Sequence, residues 1–351
     1  MKKRVLVAMS GGVDSSTVAA ILKNEGHEVM GLTMSLFPLD WEKSKNKAAT
    51  DLPPSVSAAR VAKTLGIPHQ TIDLALFFEE AVIHPFISEY QMGRTPNPCV
   101  RCNAKLKFGL LLDKAAELGY DALATGHYAQ IIGHRLYQGA DSNKDQSYFL
   151  YTLQRHQMER LLFPLGKMTK AETRLMAGRF NLPVQERKES QDICFMDKGA
   201  YRTFLEKRGI VSIPGFIVDT AGNILGEHHG LHHFTIGQRK GIGALGRACF
   251  VVRLDGKSNT VVVGDKSDLL VPALIADQLT FCSEPLRPGD TVNVQLRYRG
   301  QHRPAILEKI EGTSVTLRFA EPAEGVAPGQ SAVFYRENEV VGGSVIRKGI
   351  N

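Results

Sequence analysis

The first 130 residues alternate short apolar runs with segments whose apolar positions recur at helical spacing. The run RVLVAM has the length and composition of a strand buried in a parallel sheet, and Val18, Ala19, Ile21 and Leu22 then fall on one helical face. We expect strands over residues 4–9, 28–34, 69–74 and 121–126, and helices over residues 15–25, 55–65, 76–91 and 103–118. This alternation predicts an α/β fold, a doubly wound parallel sheet with helices on both faces.

The pattern changes along the rest of the chain. It predicts a mobile surface loop at the polar, proline-ended residues 40–54, a hairpin over residues 129–138, and helices over residues 145–153 and 170–180. After about residue 205, glycine becomes frequent, and apolar and polar residues alternate within residues 291–300, 305–310, 314–320 and 330–335. Turn sequences such as RPGD and APGQ separate these segments, so we expect a small β-barrel at the C-terminus.

Composition narrows the class of protein. The chain has 351 residues, 43% of them hydrophobic and 23% charged, which suits a soluble protein of two or three domains. No run approaches the roughly 18 apolar residues of a membrane helix, so we expect a cytoplasmic protein that does not bind membranes. The 43 Lys and Arg against 36 Asp and Glu give a net charge of +7, which favours an anionic partner without requiring one.

The sequence MSGGVDSS joins the first predicted strand to the first predicted helix. Unpaired N–H groups of a helix's first turn attract anions, and Gly11 and Gly12 let the backbone approach phosphate oxygens closely. Ser10 and Ser15 add hydroxyl donors, and Asp14 is a candidate ligand for a phosphate-bound magnesium ion. The lysine of a Walker A loop is absent. Ligands of doubly wound sheets bind beyond the carboxyl ends of the strands, where we also expect Met34, residues 93–103 and Gly126.

Three of the five cysteines stand in polar surroundings, and the other two, Cys249 and Cys282, lie in apolar segments where core packing is the simpler interpretation. Cys99 and Cys102 come just ahead of the helix predicted over residues 103–118, whose N-terminus would lower a thiol pKa. Cys194 falls in a predicted loop. A closed zinc site would need more ligands than this CxxC pair, and the histidines of HHGLHH (residues 228–233) are expected in a surface or phosphate-facing turn.

SGGVDSS resembles the PP-loop of the N-type ATP pyrophosphatases, which cleave ATP between its α and β phosphates. Across nearly the whole chain, a further set of sequences is similar to the tRNA-specific 2-thiouridylases, the MnmA/TrmU family: GRTPNPCVRCN, ATGHYA, DSNKDQSYFLYTL, LFPLGKMTKAETR, DICF, GEHHGLHHFTIGQRKGIG and PGQSAVFY. The resemblance implies an adenine nucleotide alpha hydrolase-like PP-loop domain over residues 1–200, a small central domain over residues 201–268, and a C-terminal β-barrel over residues 269–351.

The resemblance also implies a reaction. The enzyme would be a sulfurtransferase that replaces the C2 oxygen of the wobble uridine, anticodon position 34, with sulfur in tRNAs for Lys, Glu and Gln. It would use ATP with Mg²⁺, and sulfur delivered by a cysteine desulfurase, directly or through relay proteins. ATP would adenylate the uridine oxygen, because that oxygen alone is a poor leaving group, and pyrophosphate would be released.

Family roles carry over to matching positions of this chain. Cys194 would carry a persulfide, and Cys102 would be the nucleophile that helps release its outer sulfur, with a transient disulfide between them. The resemblance also implies ATP contacts at Ala8, Met9, Ser10, Gly11, Gly12, Val13, Asp14, Ser15, Met34 and Gly126. It implies contacts to the anticodon arm of the tRNA at His127, Lys144, Asp145, Gln146, Arg297, Tyr298 and Gln330.

Cys99 departs from the well-known form of the family, which has an aspartate at this position. A thiol cannot replace a carboxylate in acid–base chemistry at pH 7 without a shifted pKa. Either Cys99 assists the Cys102/Cys194 pair, or the three cysteines hold a [4Fe-4S] cluster with one open iron, since thiolates are the usual cluster ligands. We favour the persulfide route.

Two other functions remain to be weighed against thiolation. The PP-loop is also compatible with an amidating ligase of the NAD- or GMP-synthetase type, and the basic charge with a non-catalytic RNA-binding module. Neither explains NPCVRCN and DICF together. Thiolation further predicts salt-sensitive tRNA binding and an aromatic or arginine platform for the extruded base near residues 93–103.

Overall fold

A computed structural model describes residues 2–37, 52–184, 193–196, 201–243 and 249–350. Most of the surface loop predicted over residues 40–54 lies outside these ranges. The described chain forms two compact units. The first holds the residues up to Val82, those from Cys99 to Val184, and Asn338–Val340. The second holds Ile83–Pro98, the described residues from Ile193 to Glu337, and those from Val341 onward.

The first unit is built on a parallel sheet. Its strands are β1 (Arg4–Ala8), β2 (Glu28–Ser35), β3 (His69–Asp73), β4 (Ala122–Ala124), β5 (Ala129–Ile132), β6 (Arg135–Gln138) and β7 (Leu161–Leu162). Five of them form the sheet in the order β3-β2-β1-β4-β7, with every neighbouring pair parallel. The predicted α/β class is therefore confirmed. β5 and β6 form the predicted antiparallel hairpin.

Within the described ranges, the α-helices are α1 (Val13–Asn24), α2 (Pro54–Leu65), α3 (Ala75–Phe78), α4 (His84–Gln91), α5 (Pro98–Cys102), α6 (Leu111–Glu117), α7 (Arg155–Met158), α8 (Lys170–Arg179) and α9 (Tyr201–Lys207). Two π-helical segments, Glu79–Ile83 and Asn103–Leu110, follow α3 and α5. Short 3₁₀ turns cover Ser147–Phe149, Pro164–Lys167, Leu231–His233 and Lys266–Leu269.

Apolar side chains of β1 and α1 make the centre of the first unit's core. Val5 and Val7 of β1 and Val18 of α1 are fully buried and belong to one cluster. α2 adds Val61 and α8 adds Ala177 to the same cluster. The continuous apolar run of β1 is thus buried on both faces, as expected of a central parallel strand.

One predicted helix of this unit is wrong. Residues 145–153 contain only the 3₁₀ turn Ser147–Phe149. The carboxylate of Asp145 accepts hydrogen bonds from the backbone N–H and the hydroxyl of Ser147, at 3.1 and 2.8 Å. Such local side-chain bonds compete with helical backbone bonds, which explains the turn.

The second unit contains two sheets. Its strands are β8 (Gly215–Val218), β9 (Ile224–His228), β10 (Phe250–Asp255), β11 (Thr260–Gly264), β12 (Val271–Phe281), β13 (Thr291–Gln295), β14 (His302–Glu311), β15 (Ser314–Ala323), β16 (Ser331–Arg336) and β17 (Glu339–Ile350). β8 to β11 form a four-stranded sheet in the order β10-β11-β8-β9.

The last six strands form the predicted C-terminal barrel. They follow the order β12-β15-β14-β13-β16-β17, and pairing of β12 with β17 closes the barrel. Leu274, Val294, Leu307, Leu317 and Phe334 are fully buried in its core. The alternation predicted over residues 291–300 ends early, because β13 stops at Gln295.

Two further interpretations from the sequence concern the buried cysteines and membrane-spanning helices. Cys249 and Cys282 are 2% and 4% exposed, which confirms them as core residues. Within the described ranges, no helix has both the length and the apolar character that crossing a bilayer requires.

Candidate active site

The glycine loop lies between β1 and α1, at the carboxyl edge of the parallel sheet. Ser15 Oγ accepts a hydrogen bond from the Ser10 N–H at 3.1 Å and lies 3.3 Å from Ser10 Oγ. Ser16 Oγ donates to the Gly12 carbonyl at 2.8 Å. Gly12 is the N-cap of α1 and has no side chain to cap the first N–H groups of the helix, the groups that bind anions at helix N-termini.

Position 11 requires glycine, because of its own backbone conformation and because the neighbouring chain leaves no space for a Cβ. Its φ is +69°, in the left-handed region, and a Cβ there would collide with the carbonyl oxygen of Pro54, where α2 begins. Ser57 of α2 donates a 2.9 Å hydrogen bond to the Gly11 carbonyl. The start of α2 therefore fixes the conformation of the glycine loop.

The parallel topology places the predicted ATP contacts on one edge of the sheet. β2 and β4 both pair with β1, so Met34 near the end of β2 and Gly126 just after β4 lie at the same edge as the glycine loop. A Cβ on Gly126 would stand 3.0 Å from both the Asp14 Cβ and the Ser15 nitrogen. Gly126 thus permits close approach of its loop to the start of α1.

Lys170 supplies a cation that the glycine loop itself lacks. Its Nζ lies 2.6 Å from Oδ1 of Asp14, and its side chain is 11% exposed. The same carboxylate oxygen accepts a 2.8 Å hydrogen bond from the Tyr128 hydroxyl, which also contacts Thr173 Oγ1 at 3.1 Å. Sequence reasoning missed Lys170, although TKAE contains the Thr169 to Glu172 capping box that starts α8 at this lysine.

Cys99 and Cys102 lie within α5 and not ahead of the helix, which corrects the sequence-based prediction. They are one turn apart on one face. The predicted lowering of their pKa values is also wrong. Burial raises the pKa of Cys99 to about 11, and burial likewise raises the pKa of Cys102. The positive charge of Lys107 opposes this rise for both thiols.

His127 connects the cysteine segment to the nucleotide edge. It follows Gly126, and its Nε2 lies 3.4 Å from Lys107 Nζ, while its Nδ1 lies 2.7 Å from Thr125 Oγ1. The ring is 8% exposed and packs between Phe108 and Phe163. Burial and the Lys107 charge lower the pKa of His127, so the ring is neutral. Its predicted contact with tRNA stays a prediction, and in this structure its neighbours are protein groups.

The KDQ sequence forms the turn after β6. Asp145 is 9% exposed, and its carboxylate accepts bonds from the Gly139 N–H and from Ser147. Gln146 Oε1 accepts from the Tyr128 N–H at 3.0 Å. These two side chains therefore hold their own loop together, while Lys144 is half-buried. The tRNA contacts of this turn remain predictions.

Cys194 belongs to the second unit, in an exposed turn, as its predicted loop position implied. The neighbouring Phe195 is buried, and its ring packs against Phe86 at 5.2 Å and against Phe204 at 5.2 Å. This aromatic anchor fixes the turn and presents the residue before it at the surface.

The other predicted tRNA contacts of the second unit differ in exposure. Arg297 is exposed and Tyr298 half-buried, in a turn after β13, where Arg299 lies 5.1 Å from the Tyr298 ring. Gln330 instead donates a 2.9 Å hydrogen bond to the Thr95 carbonyl. Its side chain thus supports the segment that leads to the cysteine pair.

Comparisons with known proteins agree with this arrangement of sheets. Family models match as a tRNA methyl transferase HUP domain over residues 3–198, a tRNA methyl transferase PRC-barrel domain over residues 202–265 and an aminomethyltransferase β-barrel domain over residues 271–346. The tRNA-specific 2-thiouridylase MnmA of Geobacter metallireducens is 45% identical over 361 residues, which cover 98% of this chain and 97% of the relative. The MnmA of Moorella thermoacetica is 45% identical over 351 residues, which cover 97% of this chain and 98% of the relative.

The chain belongs to the tRNA-specific 2-thiouridylase family. The family is one of sulfurtransferases that act on tRNA, so the suspected resemblance is confirmed. Among solved structures, the U34-tRNA thiolase NcsA of Methanococcus maripaludis, with its [4Fe-4S] cluster, aligns over 59% of this chain and 64% of that chain. Its TM-score of 0.35 at 17% identity is too low to support a conclusion about this member of the family.

In this 2-thiouridylase, the first unit brings two chemical functions together. A series of neighbours runs from the Ser15 amide to Gly126, then to His127 and then to Lys107, whose charge lowers the pKa values of Cys99 and Cys102 against the effect of burial. The arrangement can hold an anion at one end and a sulfur nucleophile at the other. Lys107 was missed by sequence reasoning, although it lies in the quoted sequence LKFG, five residues after Cys102.

Proposed function

We propose that the chain catalyses ATP-dependent 2-thiolation of the wobble uridine of tRNAs for Lys, Glu and Gln. One observation supports this function above the others, the continuity between the glycine loop and the cysteine segment through Gly126, His127 and Lys107. An amidating ligase or a non-catalytic RNA-binding module would have no use for thiols in that position.

Activation of the uridine is the first proposed step. The uridine O2 attacks the α-phosphorus of ATP, the bond to the β-phosphate oxygen breaks, and pyrophosphate leaves. The N–H groups of α1 and the ammonium of Lys170 stabilise the charge that develops on the phosphates. A magnesium ion on the phosphates would share the Asp14 carboxylate with Lys170, which lies 2.6 Å from it.

Sulfur transfer is the second proposed step. A cysteine desulfurase, directly or through relay proteins, leaves a persulfide on the exposed Cys194. The outer sulfur attacks C2 of the adenylated uridine, and AMP leaves with its electron pair. The Cys102 thiolate then attacks the Cys194 sulfur, the S–S bond breaks, and its electrons remain on the sulfur now bound to C2. A Cys102–Cys194 disulfide results, and an external thiol reduces it.

The [4Fe-4S] alternative uses Cys99, Cys102 and Cys194. Cys99 and Cys102, one helical turn apart on α5, fit the local spacing of two cluster ligands, and Cys194 would have to supply the third. A bound cluster would supply an iron that holds sulfide. Anaerobic purification, an absorption spectrum and iron and sulfide counts for wild type and Cys99→Ala distinguish the routes. On the favoured persulfide route, thiolation does not scale with iron content.

The proposed tRNA contacts in the second unit are in the exposed turn at Arg297, Tyr298 and Arg299. Those in the first unit are Lys144 and His127. Arg101 is exposed and stands between the two cysteines, with its Nε bonded to the Ala81 carbonyl at 3.1 Å. Its guanidinium is our candidate platform for the extruded base.

The test is a reaction of the full chain with an unmodified transcript of tRNA Glu, ATP, Mg²⁺ and a persulfide donor, followed by nucleoside mass spectrometry. The proposal expects 2-thiouridine with the natural transcript, none with a transcript carrying cytidine at position 34, and pyrophosphate release that depends on tRNA. Pyrophosphate release independent of tRNA, with no thiolated nucleoside, would favour the amidating ligase. Binding without turnover would favour the RNA-binding module.

A further inference from the structure

Two histidines and a carboxylate, none of them assigned to thiolation, converge in the second unit. Glu206 lies in α9, and His232 and His233 lie in the 3₁₀ turn Leu231–His233. One ligand atom from each of the three residues lies within 4.8 Å of the other two. The expectation that the histidines of HHGLHH occupy a surface or phosphate-facing turn is wrong for His228 and His232, which are 3% and 4% exposed.

We propose that Glu206, His232 and His233 bind a divalent transition-metal ion of the Zn²⁺ class. Two imidazoles and one carboxylate form a known zinc ligand set, with the fourth position left to water. Zinc–ligand bonds of about 2.0–2.2 Å place tetrahedral ligand atoms roughly 3.4 Å apart. His233 Nε2 and Glu206 Oε1 are already 3.6 Å apart.

Among the described residues, one histidine nitrogen of the cluster lacks a hydrogen-bond partner, and neutral imidazole is the form of histidine that binds a metal. The Nε2 atom of His233 is buried and makes no hydrogen bond within the described part of the chain. A metal ion would satisfy this nitrogen, whose burial is otherwise a cost.

Hydrogen bonds from side chains at the start of α9 hold the histidine turn in place. The Tyr201 hydroxyl and Arg202 Nη2 donate to the His233 carbonyl at 3.2 and 2.9 Å. The Glu206 side chain is 48% exposed, so it can rotate toward the histidines at little cost. The positive charge of Arg202, whose guanidinium bonds to the His233 carbonyl, opposes a cation here, so the removal of this charge gives a second prediction.

The first test uses tag-free full-length protein, stripped with a chelator and titrated with Zn²⁺ by calorimetry and with Co²⁺ by absorption. Wild type is expected to bind one equivalent through N and O ligands, seen as visible Co²⁺ bands without thiolate charge-transfer absorption. Loss of a ligand's hydrogen-bond partner alone weakens metal binding by about 10–100-fold, so Glu206→Gln and His233→Gln should each weaken it by at least about 100-fold.

His229 provides the matched control, since it is an exposed histidine of the same sequence outside the cluster. His229→Gln should still bind one equivalent of Zn²⁺. Arg202→Gln should bind Zn²⁺ more tightly than wild type. Zn²⁺ should also raise the melting temperature of wild type and not of Glu206→Gln, a substitution at a half-exposed position that leaves the core intact. The proposal fails if Glu206→Gln and His233→Gln bind as wild type does, or if His229→Gln loses the metal equally.

Discussion

At the scale of single residues, Lys107 changes the pKa values of two cysteines, although sequence reasoning gave this lysine no role. Its ammonium opposes the burial that raises the pKa of Cys99 and Cys102. Both thiols are therefore mainly protonated at neutral pH, and the reactive thiolate grows as pH rises toward the raised pKa. Without the cation, a higher pH is needed for the same thiolate fraction.

We predict that Lys107→Met slows alkylation of Cys102 by iodoacetamide at pH 8 by roughly tenfold, with the pH profile moved upward. In wild type, alkylation of Cys99 should rise about tenfold per pH unit between pH 7 and 9. Peptide mass spectrometry measures each cysteine separately. Lys105→Met, an exposed lysine of the same π-helical segment, is the control. Equal rates for the two variants would contradict the role of Lys107.

Lys170 is the second residue with a testable charge. Its Nζ lies beside the Asp14 carboxylate at the start of α1, where the pyrophosphate is expected. Removal of one preorganised charged group costs about 10²–10³ in rate, so Lys170→Met should lower tRNA-dependent pyrophosphate release by that factor. Lys167→Met removes an exposed lysine of the preceding 3₁₀ turn and should leave the rate unchanged. A normal rate in Lys170→Met would exclude this lysine from the reaction.

At the scale of secondary-structure elements, the close approach of the glycine loop to α2 limits which residue position 11 tolerates. Gly11→Ala meets both a left-handed φ, which costs about 1–2 kcal/mol, and a collision with the Pro54 carbonyl. Gly133 has a φ of +58° with no atom near a built Cβ. Gly133→Ala should therefore lower the free energy of unfolding by the conformational cost alone. Gly11→Ala should lower it further and abolish ATP binding, measured by denaturant titration and calorimetry. If both variants lose the same stability and bind ATP, the close approach does not matter.

The elements that local pattern predicts well are strands with a continuous apolar run and helices with apolar residues at helical spacing. β1, β2, α1 and α2 begin and end within two residues of their predicted limits. Residues 145–153 were mispredicted because a single buried carboxylate, Asp145, redirects the backbone bonds. The thiol pKa values were mispredicted because burial of α5 comes from tertiary packing. Lys170 reaches Asp14 from 156 positions further along the chain, a distance that no local pattern contains.

At the scale of the whole molecule, the net charge of +7 and the exposed turn at Arg297 and Arg299 bear on tRNA binding. Removing one side chain that binds a phosphate should reduce the slope of log K against log salt by about 1. We expect Arg297→Gln and Arg299→Gln each to weaken tRNA binding and reduce this slope. Arg318→Gln, which breaks an exposed ion pair with Glu308 on the barrel, should leave it unchanged. Filter-binding across a salt series measures the slope, and identical slopes in all variants would remove this turn from the footprint.

The coupling of nucleotide chemistry to sulfur chemistry is tested most directly by Cys102→Ser under single-turnover conditions. Pyrophosphate and 2-thiouridine are measured in the same reaction with a tRNA Glu transcript, ATP and a persulfide donor. We predict that Cys102→Ser still releases pyrophosphate in a tRNA-dependent way but forms no 2-thiouridine, because activation needs only the glycine loop and Lys170. Wild-type yields of 2-thiouridine from Cys102→Ser would contradict the proposed sulfur transfer.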